Sequence, residues 1–303
     1  MRIGLLGTGP WADMAHAPAL AGHGDLDFVG VWGRRPDAAK ELAERHGTRA
    51  YDDVDALLAD VEAVAVALPP AVQAELAVRA ARAGCHLLLD KPLAATVEQG
   101  RAVVEAVRAA GVASVVFFTT RFQPETEAWI GQQAAGDGWF TARAQWLGAL
   151  FGDGDGDGDG EGDSPFAASP WRREKGALWD VGPHALSVLL PVLGDARRVT
   201  AAAPGPGDTV HLVLDHTGGA SSTLTLSLTA PPAAAGAAVE LRGRAGVTLL
   251  PETTEGPVPA LRRAADALLS AAEGGRPHPC DAAFGLRVTE ILAEAEALLT
   301  ERR

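Results

Sequence analysis

Short apolar runs alternate with helical patterns through the first 118 residues, and this alternation constrains the fold of the chain more than any other feature. Nearly continuous apolar strands that are separated by helices are typical of a parallel sheet covered on both faces. The sequence therefore predicts an α/β domain at the start of the chain. Its predicted strands are Ile3–Leu6, Asp27–Trp32, Ala63–Leu68, His86–Leu89 and Ala113–Phe118.

The helix between the last two runs carries clear boundary signals. Thr96 followed by Gln99 has the spacing of a capping box, in which the two side chains satisfy backbone N–H groups at the helix start. Gly111 stands where a residue in the left-handed conformation commonly ends a helix. These signals predict a helix over Val97–Ala110.

After residue 120 the pattern changes to β runs, in which Thr223 and Thr225 alternate with Leu224 and Leu226. This alternation indicates one solvated and one buried face. We predict two domains, residues 1–120 and 121–303. The second is an α+β domain with an open, mostly antiparallel sheet, helices on one face, and a last helix able to pack back on the first domain. Its predicted strands are Trp139–Leu147, Val199–Ala203, Thr209–Leu214, Ser221–Ser227, Val239–Arg242 and Val247–Leu250, and its helices include Pro124–Gln133, Ala260–Glu273 and Ala282–Glu301.

A tract of alternating glycine and acidic residues, Gly152–Asp163, interrupts the second domain. Counted from Asp153, its carboxylates and Gly158 match the opening of a calcium-binding EF-hand loop. Ser164, however, occupies the position that requires a bidentate Glu, and helical patterns do not flank the tract. We therefore expect a flexible, self-repelling surface loop rather than a calcium site.

The charge balance and the cysteines narrow the classes of function. Lys and Arg total 26 against 39 Asp and Glu, a formal net charge of −13, which disfavours nucleic acid and anionic lipid as partners. The two cysteines, Cys85 and Cys280, are too few for a disulfide framework or a four-cysteine zinc site. Apolar runs stay shorter than about 18 residues, and the first residues lack the pattern of a secretory signal. These features predict a soluble, cytoplasmic protein.

A glycine-rich segment directly follows the first predicted strand: Gly7-Thr8-Gly9-Pro10-Trp11-Ala12. Between a strand and a helix, a G-x-G-x-x-A pattern is typical of dinucleotide-binding folds. Gly7 makes the tight turn, Gly9 lets the backbone approach a pyrophosphate, and the small Ala12 lets helix and strand pack closely. The N-terminus of the following helix offers free N–H groups to the anion. The segment predicts a Rossmann domain, a doubly wound parallel sheet that binds a dinucleotide.

Two arginines at the end of the second run bear on the choice of coenzyme. A site that prefers NAD places an Asp or Glu there to hold the ribose hydroxyls, whereas this chain has Arg34 and Arg35. A guanidinium can pair with the 2′-phosphate of NADP and stack on its adenine. We expect NADP(H) to be preferred, and NAD(H) is the alternative if the two arginines only flank a loop.

Two further segments make the chain similar to one family. Asp90-Lys91-Pro92-Leu93 follows the run His86–Leu89, and Gly176-Ala177-Leu178-Trp179-Asp180-Val181-Gly182-Pro183-His184 lies in the second domain. With the glycine loop, they resemble the Gfo/Idh/MocA oxidoreductases, named for glucose–fructose oxidoreductase and inositol dehydrogenase. The resemblance spans nearly the whole chain. It includes Leu68-Pro69-Pro70, Arg121-Phe122-Gln123-Pro124 and Asp281–Val288.

The resemblance implies hydride transfer between a nicotinamide coenzyme and a secondary alcohol or ketone, usually of a sugar or cyclitol. The family's lysine falls on Lys91, followed by a Pro92 that is cis in relatives, its aspartate on Asp180 and its histidine on His184. The Lys91 ammonium can stabilise developing alkoxide charge, and the His184 imidazole, which titrates near neutrality, can exchange the proton. On a helical turn, Asp180 can orient a substrate hydroxyl or the imidazole.

The expected contacts form two sets. The cofactor-binding residues are Gly7, Thr8, Gly9, Pro10, Trp11, Ala12, Arg34, Arg35, Leu68, Pro69, Pro70, Gln73, Asp90 and Lys91. The substrate-binding residues are Lys91, Arg121, Trp171, Arg172, Asp180 and His184. An arginine beside the Asp–His segment suits a sugar hydroxyl, a carboxylate or a phosphate. Asp180, His184 and His278 are of metal-ligating types, but we expect no metal, because hydride transfer requires none.

The chain departs from the family pattern at three positions. Asp90 stands where relatives usually have Glu, Gln73 stands where many have a cofactor-side His, and the single tyrosine, Tyr51, lies in the first domain. The second domain has no tyrosine, so a tyrosine of that domain takes no part in catalysis. Two other functions stay open: a reductase of a non-sugar carbonyl, imine or diol, and a dinucleotide-binding regulator without catalysis. Retention of the lysine, aspartate and histidine argues against the regulator.

The second sheet predicts self-association. Its helices suffice to cover one face, and the apolar face of a sheet needs a cover. Relatives use the remaining face in assembly, so the resemblance implies a homodimer or homotetramer formed through Val199–Leu250.

Overall fold

A computed structural model describes residues 1–151, 166, 169–274 and 276–301. The chain divides into two units, one of Met1–Phe122 with Thr254–Thr289, the other of Gln123–Thr253 with Glu290–Arg303. The predicted acidic loop Gly152–Asp163, whose opening matches a calcium-binding loop, lies outside the described residues. The helices along the chain are α1 (Ala17–Ala21), α2 (Pro36–Arg45), α3 (Val54–Asp60), α4 (Pro70–Arg82), α5 (Val97–Ala110), α6 (Pro124–Ala134), α7 (Pro170–Asp180), α8 (Gly182–Leu193), α9 (Pro257–Ala272) and α10 (Ala282–Thr300).

The first unit contains a six-stranded parallel sheet. Its strands are β1 (Arg2–Leu6), β2 (Asp27–Trp32), β3 (Arg49–Tyr51), β4 (Ala63–Val66), β5 (His86–Asp90) and β6 (Ser114–Phe117). Their order across the sheet is β3-β2-β1-β4-β5-β6, which is the order of the doubly wound Rossmann fold. This order confirms the predicted fold class, and each of the five predicted runs overlaps a strand. The additional strand, β3, has three residues and is too short to show a periodic pattern.

Local capping forms the helix between β5 and β6 as predicted. The hydroxyl of Thr96 accepts a hydrogen bond from the backbone N–H of Gln99 at 3.2 Å, and the Gln99 side chain accepts one from the N–H of Ala95 at 3.3 Å. Gly111 ends the helix in the left-handed conformation, with φ 66°. The observed bounds, Val97–Ala110, are the predicted ones.

The second unit contains a mixed, mostly antiparallel sheet, as predicted. The strands are β7 (Trp139–Leu147), β8 (Ala196–Pro204), β9 (Val210–His216), β10 (Ser221–Ser227), β11 (Gly236–Gly243) and β12 (Gly246–Leu249). β7 pairs with β10 in parallel, whereas the other paired strands run antiparallel. Their order is β12-β11-β7-β10-β9-β8.

The two faces of this sheet differ in burial. Leu212, Leu224 and Ala144 are neighbours in register on one face and are at most 1% exposed. On the other face, the register neighbours Thr223 and Arg143 are exposed. Helices α7 and α8 pack on the sheet. The predicted alternation of Thr and Leu along β10 is therefore confirmed.

Packing groups Thr254–Thr289 with the first unit. The predicted boundary at residue 121 follows chain order and allows the last helix to pack back on the first domain. Helix α9 packs against β5 and β6. Gly285, in the first turn of α10, approaches β6 so closely that a Cβ atom there would lie 3.0 Å from Val116 Cγ2. The division between the units falls within α10, after Thr289. Sequence periodicity shows which face of these helices is apolar, but not which sheet that face covers.

The helical segment Pro170–Leu193 has the length and composition of a membrane span, with a mean hydropathy of 1.3. Burial inside the protein accounts for this composition, because 83% of its most apolar window is buried. Leu186, Val188 and Leu189 of α8 are each 0% exposed. The segment is therefore a core helix pair of the second unit.

Candidate active site

The glycine loop after β1 has the geometry that its sequence predicts. Gly7 adopts φ +134°, and a Cβ atom there would collide with the carbonyl oxygen of Ala67. The Gly7 N–H donates to the carbonyl of Trp32 at 2.8 Å, which ties the loop to the end of β2. At Gly9, by contrast, an added Cβ would meet nothing within 4 Å. Gly7 therefore makes the turn, and Gly9 leaves the backbone open to a ligand.

A cavity of about 520 Å³ opens above this loop. The loops that follow β1, β2 and β4 form it, and its lining residues are Thr8, Gly9, Gly33, Arg34, Arg35, Ala67, Leu68 and Pro69. Arg34 and Arg35 are exposed, and neither is in an ion pair with any residue that the structure describes. The open backbone at Gly9 and the two available guanidinium groups fit the pyrophosphate and the adenosine end of a dinucleotide.

The remaining residues of the predicted loop begin the first helical segment. Ala12 is 0% exposed, which agrees with the need for a small residue there. Residues Ala12–His16 form a π-helical turn before α1. Trp11 and His16 meet edge to face, with 6.4 Å between their ring centroids. This turn brings His16 into the interior, where it is 0% exposed.

A buried amide fastens the turn that carries Lys91. The side-chain nitrogen of Gln73, a residue 1% exposed in α4, donates to the carbonyls of Asp90, Pro92 and Leu93 at 2.7, 3.1 and 3.2 Å. Its side-chain oxygen accepts from the N–H of Asp90 at 2.9 Å. The Lys91–Pro92 peptide bond is cis, as the family resemblance implied. Gln73 thus uses its whole amide on the turn, and its predicted contact with a cofactor stays a prediction.

Asp90 links the same turn to the first helical segment. One of its carboxylate oxygens accepts from the N–H of Lys91 at 2.9 Å, and the other lies 3.4 Å from His16 Nε2. The ring of His16 also contacts Phe117 of β6 edge to face at 6.4 Å. His16 could not be predicted as part of the site, because a lone histidine in a helix carries no motif.

In the second unit, an ion pair holds Asp180. The backbone of α7 is interrupted at Gly176, with φ 62°, and Asp180 ends the segment that follows, 6% exposed. Its Oδ2 atom accepts a hydrogen bond from Arg172 Nε at 3.1 Å. The Arg172 guanidinium lies 4.8 Å from the ring centre of Trp171 and 5.3 Å from that of Phe166. The structure therefore brings three predicted site residues of this unit together.

Two further contacts position this part of the site. His184, in the first turn of α8, stacks on Trp146 of β7 with ring centroids 5.5 Å apart and an angle of 11° between the planes. The carboxylate of Glu296 in α10 accepts from Lys175 Nζ at 3.1 Å and from Trp179 Nε1 at 3.0 Å, which anchors α7. Neither Trp146 nor Glu296 belongs to a sequence motif, so the sequence analysis missed both.

Arg121, a predicted substrate-binding residue, contacts the connection between α9 and α10. Its Nε atom donates to Cys280 Sγ at 3.4 Å. The neighbouring Phe122 stacks on His278, with ring centroids 5.2 Å apart. Burial, together with the Arg121 charge, lowers the pKa of His278 from 6.5 to about 4. This cluster lies within the first unit, and substrate binding by Arg121 stays a prediction.

Comparison with known proteins identifies the family. Residues 1–118 match the oxidoreductase family with an NAD-binding Rossmann fold, and residues 154–248 match the GFO/IDH/MocA C-terminal domain. The chain belongs to the Gfo/Idh/MocA family, as the sequence resemblance indicated. In Escherichia coli (strain K12), D-glucoside 3-dehydrogenase is 34% identical over 130 residues, 42% of this chain and 37% of that protein. In Rhizobium meliloti (strain 1021), inositol 2-dehydrogenase is 35% identical over 126 residues, 41% of this chain and 38% of that protein.

These matches therefore span less than two fifths of each relative's own length. A solved structure gives a longer match. GenD2 from gentamicin A biosynthesis, in complex with NAD, superposes with a TM-score of 0.83 at 21% identity, covering 100% of this chain and 95% of GenD2. At that identity the likeness shows the fold.

Replacing Gln73 with Leu should loosen the Lys91 turn. The change leaves one N–H and three carbonyl groups of the buried backbone without their hydrogen-bond partner. Each buried group that loses its partner lowers the free energy of unfolding by about 1–3 kcal/mol. We expect a lower free energy of unfolding and faster hydrogen exchange at the Asp90 amide, whose N–H donates to the Gln73 side chain. Glu75→Leu is the control, because Glu75 is exposed on the same helix. Equal exchange in the parent and in Gln73→Leu would contradict the assigned role.

The lowered pKa of His278 predicts a pH dependence of stability. Because the folded state keeps this imidazole neutral down to about pH 4 while the unfolded state protonates it below about 6.5, stability is full above pH 6.5 and falls toward pH 4. His278→Phe retains a ring against Phe122 and should flatten this part of the curve. Thermal unfolding between pH 4 and pH 6.5 measures this contribution to stability. His211→Phe is the control, because His211 is exposed. A parent and variant with parallel curves would show that His278 does not contribute.

Proposed function

We propose that the protein is an NADP(H)-preferring oxidoreductase that interconverts a secondary alcohol and a ketone of a sugar or cyclitol. The observation that carries this proposal is that the chain keeps Lys91, Asp180 and His184, with Lys91 on a turn fastened by buried hydrogen bonds and the buried Asp180 in an ion pair with Arg172. The matching relatives are named for oxidation of a glucoside and of inositol. We also propose a cytoplasmic location, where the buried thiols of Cys85 and Cys280, which are not joined in a disulfide, would stay reduced.

The coenzyme would be held by the cavity of the first unit. The backbone at Gly9 and the helix that follows would bind the pyrophosphate, while Arg34 and Arg35 would bind the 2′-phosphate and adenine of NADP(H). When bound, the nicotinamide supplies or accepts the hydride.

The chain's own residues would supply the proton and the electrostatic stabilisation. Lys91 Nζ would donate a hydrogen bond to the reacting oxygen and stabilise its developing negative charge. The His184 imidazole would give a proton to that oxygen in the reduction of a ketone and take it back in the oxidation of an alcohol. The Asp180 carboxylate, held by Arg172, would orient a substrate hydroxyl or the imidazole.

Turnover of the purified protein tests the proposal. Nicotinamide fluorescence is followed with NADPH or NADH and keto-sugars, and with the oxidised coenzymes and sugars, cyclitols or diols. We expect turnover with at least one sugar or cyclitol, faster with NADP(H). Turnover restricted to a non-sugar carbonyl, imine or diol would favour that alternative. Coenzyme binding with no turnover on any substrate would favour a regulator.

Arg34→Ala should weaken NADPH binding much more than NADH binding. A charged contact to the 2′-phosphate is worth about 1.5–3 kcal/mol, which corresponds to roughly ten- to a hundred-fold in affinity. Fluorescence titration of both reduced coenzymes measures the effect without any substrate. Lys40→Ala is the control, because it removes an exposed positive charge from α2 of the same unit. Equal losses for NADPH and NADH would show that Arg34 does not bind the 2′-phosphate.

Alanine at His184 or at Lys91 should slow the chemical step and leave NADPH affinity within several-fold of the parent. Loss of a general acid costs about 10²–10⁴ in rate, and loss of an electrostatic donor costs about 10²–10³. Because both groups would act on one oxygen, the double variant should be less impaired than the product of the single effects. Single-turnover rates against pH measure this. Unchanged turnover and pH profile in His184→Ala would refute its role as the acid–base group.

We also propose a homodimer or homotetramer formed through residues 199–250. The open face of the second sheet supports this, since Val247 and Leu249 of β12 are 54% and 63% exposed. Light scattering at micromolar concentration should give a dimer or tetramer mass, and Val247→Asp with Leu249→Asp should lower it. A monomer mass for the parent would contradict the proposal.

A further inference from the structure

The ring of His184 rests against an aromatic side chain that belongs to no motif. Trp146 lies near the end of β7, and its indole stacks on the imidazole at 5.5 Å between centroids, 11° from parallel. Both residues are only partly exposed and belong to the second unit. This contact therefore bears directly on the orientation of the proposed acid–base group.

A close approach between helix and sheet creates the contact. Gly182 begins α8, and a Cβ atom there would lie 3.0 Å from Leu292 Cδ2 and 3.3 Å from Leu226 Cδ1. Leu226 is the register partner of Trp146 on the neighbouring strand β10. Since glycine has no Cβ, the first turn of α8 can settle on the sheet beside Trp146. A larger residue at 182 would push this turn, and His184 with it, away from the indole.

Two hydrogen bonds hold the backbone of His184 beside this contact. The His184 N–H donates to the carbonyl of Val181 at 3.1 Å, and the carbonyl of His184 accepts from the Ser187 hydroxyl at 2.8 Å. An offset, near-parallel stack restricts the plane of the imidazole. It does so for the neutral ring, and the face of an indole also attracts an imidazolium. Both forms of a proton-exchanging group are therefore kept in one orientation.

We propose that Trp146 is a positioning residue that holds the His184 ring in the orientation required for proton exchange. The inference rests on the proposed function. Trp146 acts through His184 and needs no contact with the substrate. The proposal predicts that the reaction depends on an aromatic ring at position 146 and not on the volume of the side chain. Only an aromatic ring can form the stack.

The test compares Trp146→Phe, which keeps a ring, with Trp146→Leu, which keeps an apolar side chain without one. Trp139→Leu is the control, since Trp139 lies at the other end of β7. The first measurement is the NMR signal of the His184 ring proton, assigned by its absence in His184→Gln. We expect the upfield shift that an adjacent indole causes, largely kept in Trp146→Phe and Trp139→Leu and lost in Trp146→Leu. An unchanged signal in Trp146→Leu would overturn the proposal.

The second measurement is steady-state kinetics. Misplacement of a catalytic group can cost up to about a hundred-fold in rate, so we expect kcat of Trp146→Leu to fall roughly ten- to a hundred-fold with KM nearly unchanged. Trp146→Phe should restore most of it. A Trp146→Leu protein with parental kcat, or a Trp146→Phe protein as slow as Trp146→Leu, would overturn the positioning role. If the parent turns over no substrate, the proposed function fails, and with it the part of Trp146 in proton exchange. The NMR signal still decides whether Trp146 orients the ring.

Discussion

The first unit depends on one constraint: β1 pairs in parallel with β2 on one side and with β4 on the other. The strands of a parallel sheet end at the same edge, so the loops that follow them are brought together. For this reason Gly9, Arg34 and Leu68 line one cavity although they are far apart in the sequence. The turn at Lys91 follows β5, which pairs with β4 in the same direction. Strand pairing, rather than contacts between the loops, thus gathers the groups of the first unit.

Neighbouring side chains then hold the polar groups of each unit in place. The Gln73 amide holds the backbone around Lys91 with hydrogen bonds that water cannot replace in the interior. In the second unit, Arg172 pairs with Asp180 and Trp146 stacks on His184. Such supports keep polar groups in place before a substrate arrives, so little reorganisation is needed during the reaction.

Local signals explain what could be predicted from the sequence. Apolar runs, the glycine loop and the capping box at Thr96 act over a few residues, and the strands, the turn at Gly7 and helix α5 follow them. Contacts between distant segments left no such signal. The packing of α9 on β5 and β6 depends on which apolar surface is nearest in space, so chain order alone does not group Thr254–Thr289 with the first unit.

The residues that hold the candidate site in place could not be predicted either, because their contacts also join distant segments. Gln73 drew attention as a departure from the family pattern, yet its hydrogen bonds to the Asp90–Leu93 backbone depend on how α4 lies beside β5. Trp146 looked like one apolar residue of a strand, because its partner is 38 positions away in α8. Sequence motifs identify the residues proposed to react, whereas the residues that orient them emerge from tertiary packing.

Isotope transfer tests the central proposal, an oxidoreductase of sugar or cyclitol alcohols, most directly. NADPH carrying deuterium at the transferring position of the nicotinamide is incubated with the protein and a panel of keto-sugars and keto-cyclitols, and the products are analysed by mass spectrometry. The account predicts a sugar or cyclitol alcohol with deuterium on the newly formed carbinol carbon. Coenzyme binding without deuterium in any sugar or cyclitol product would contradict it.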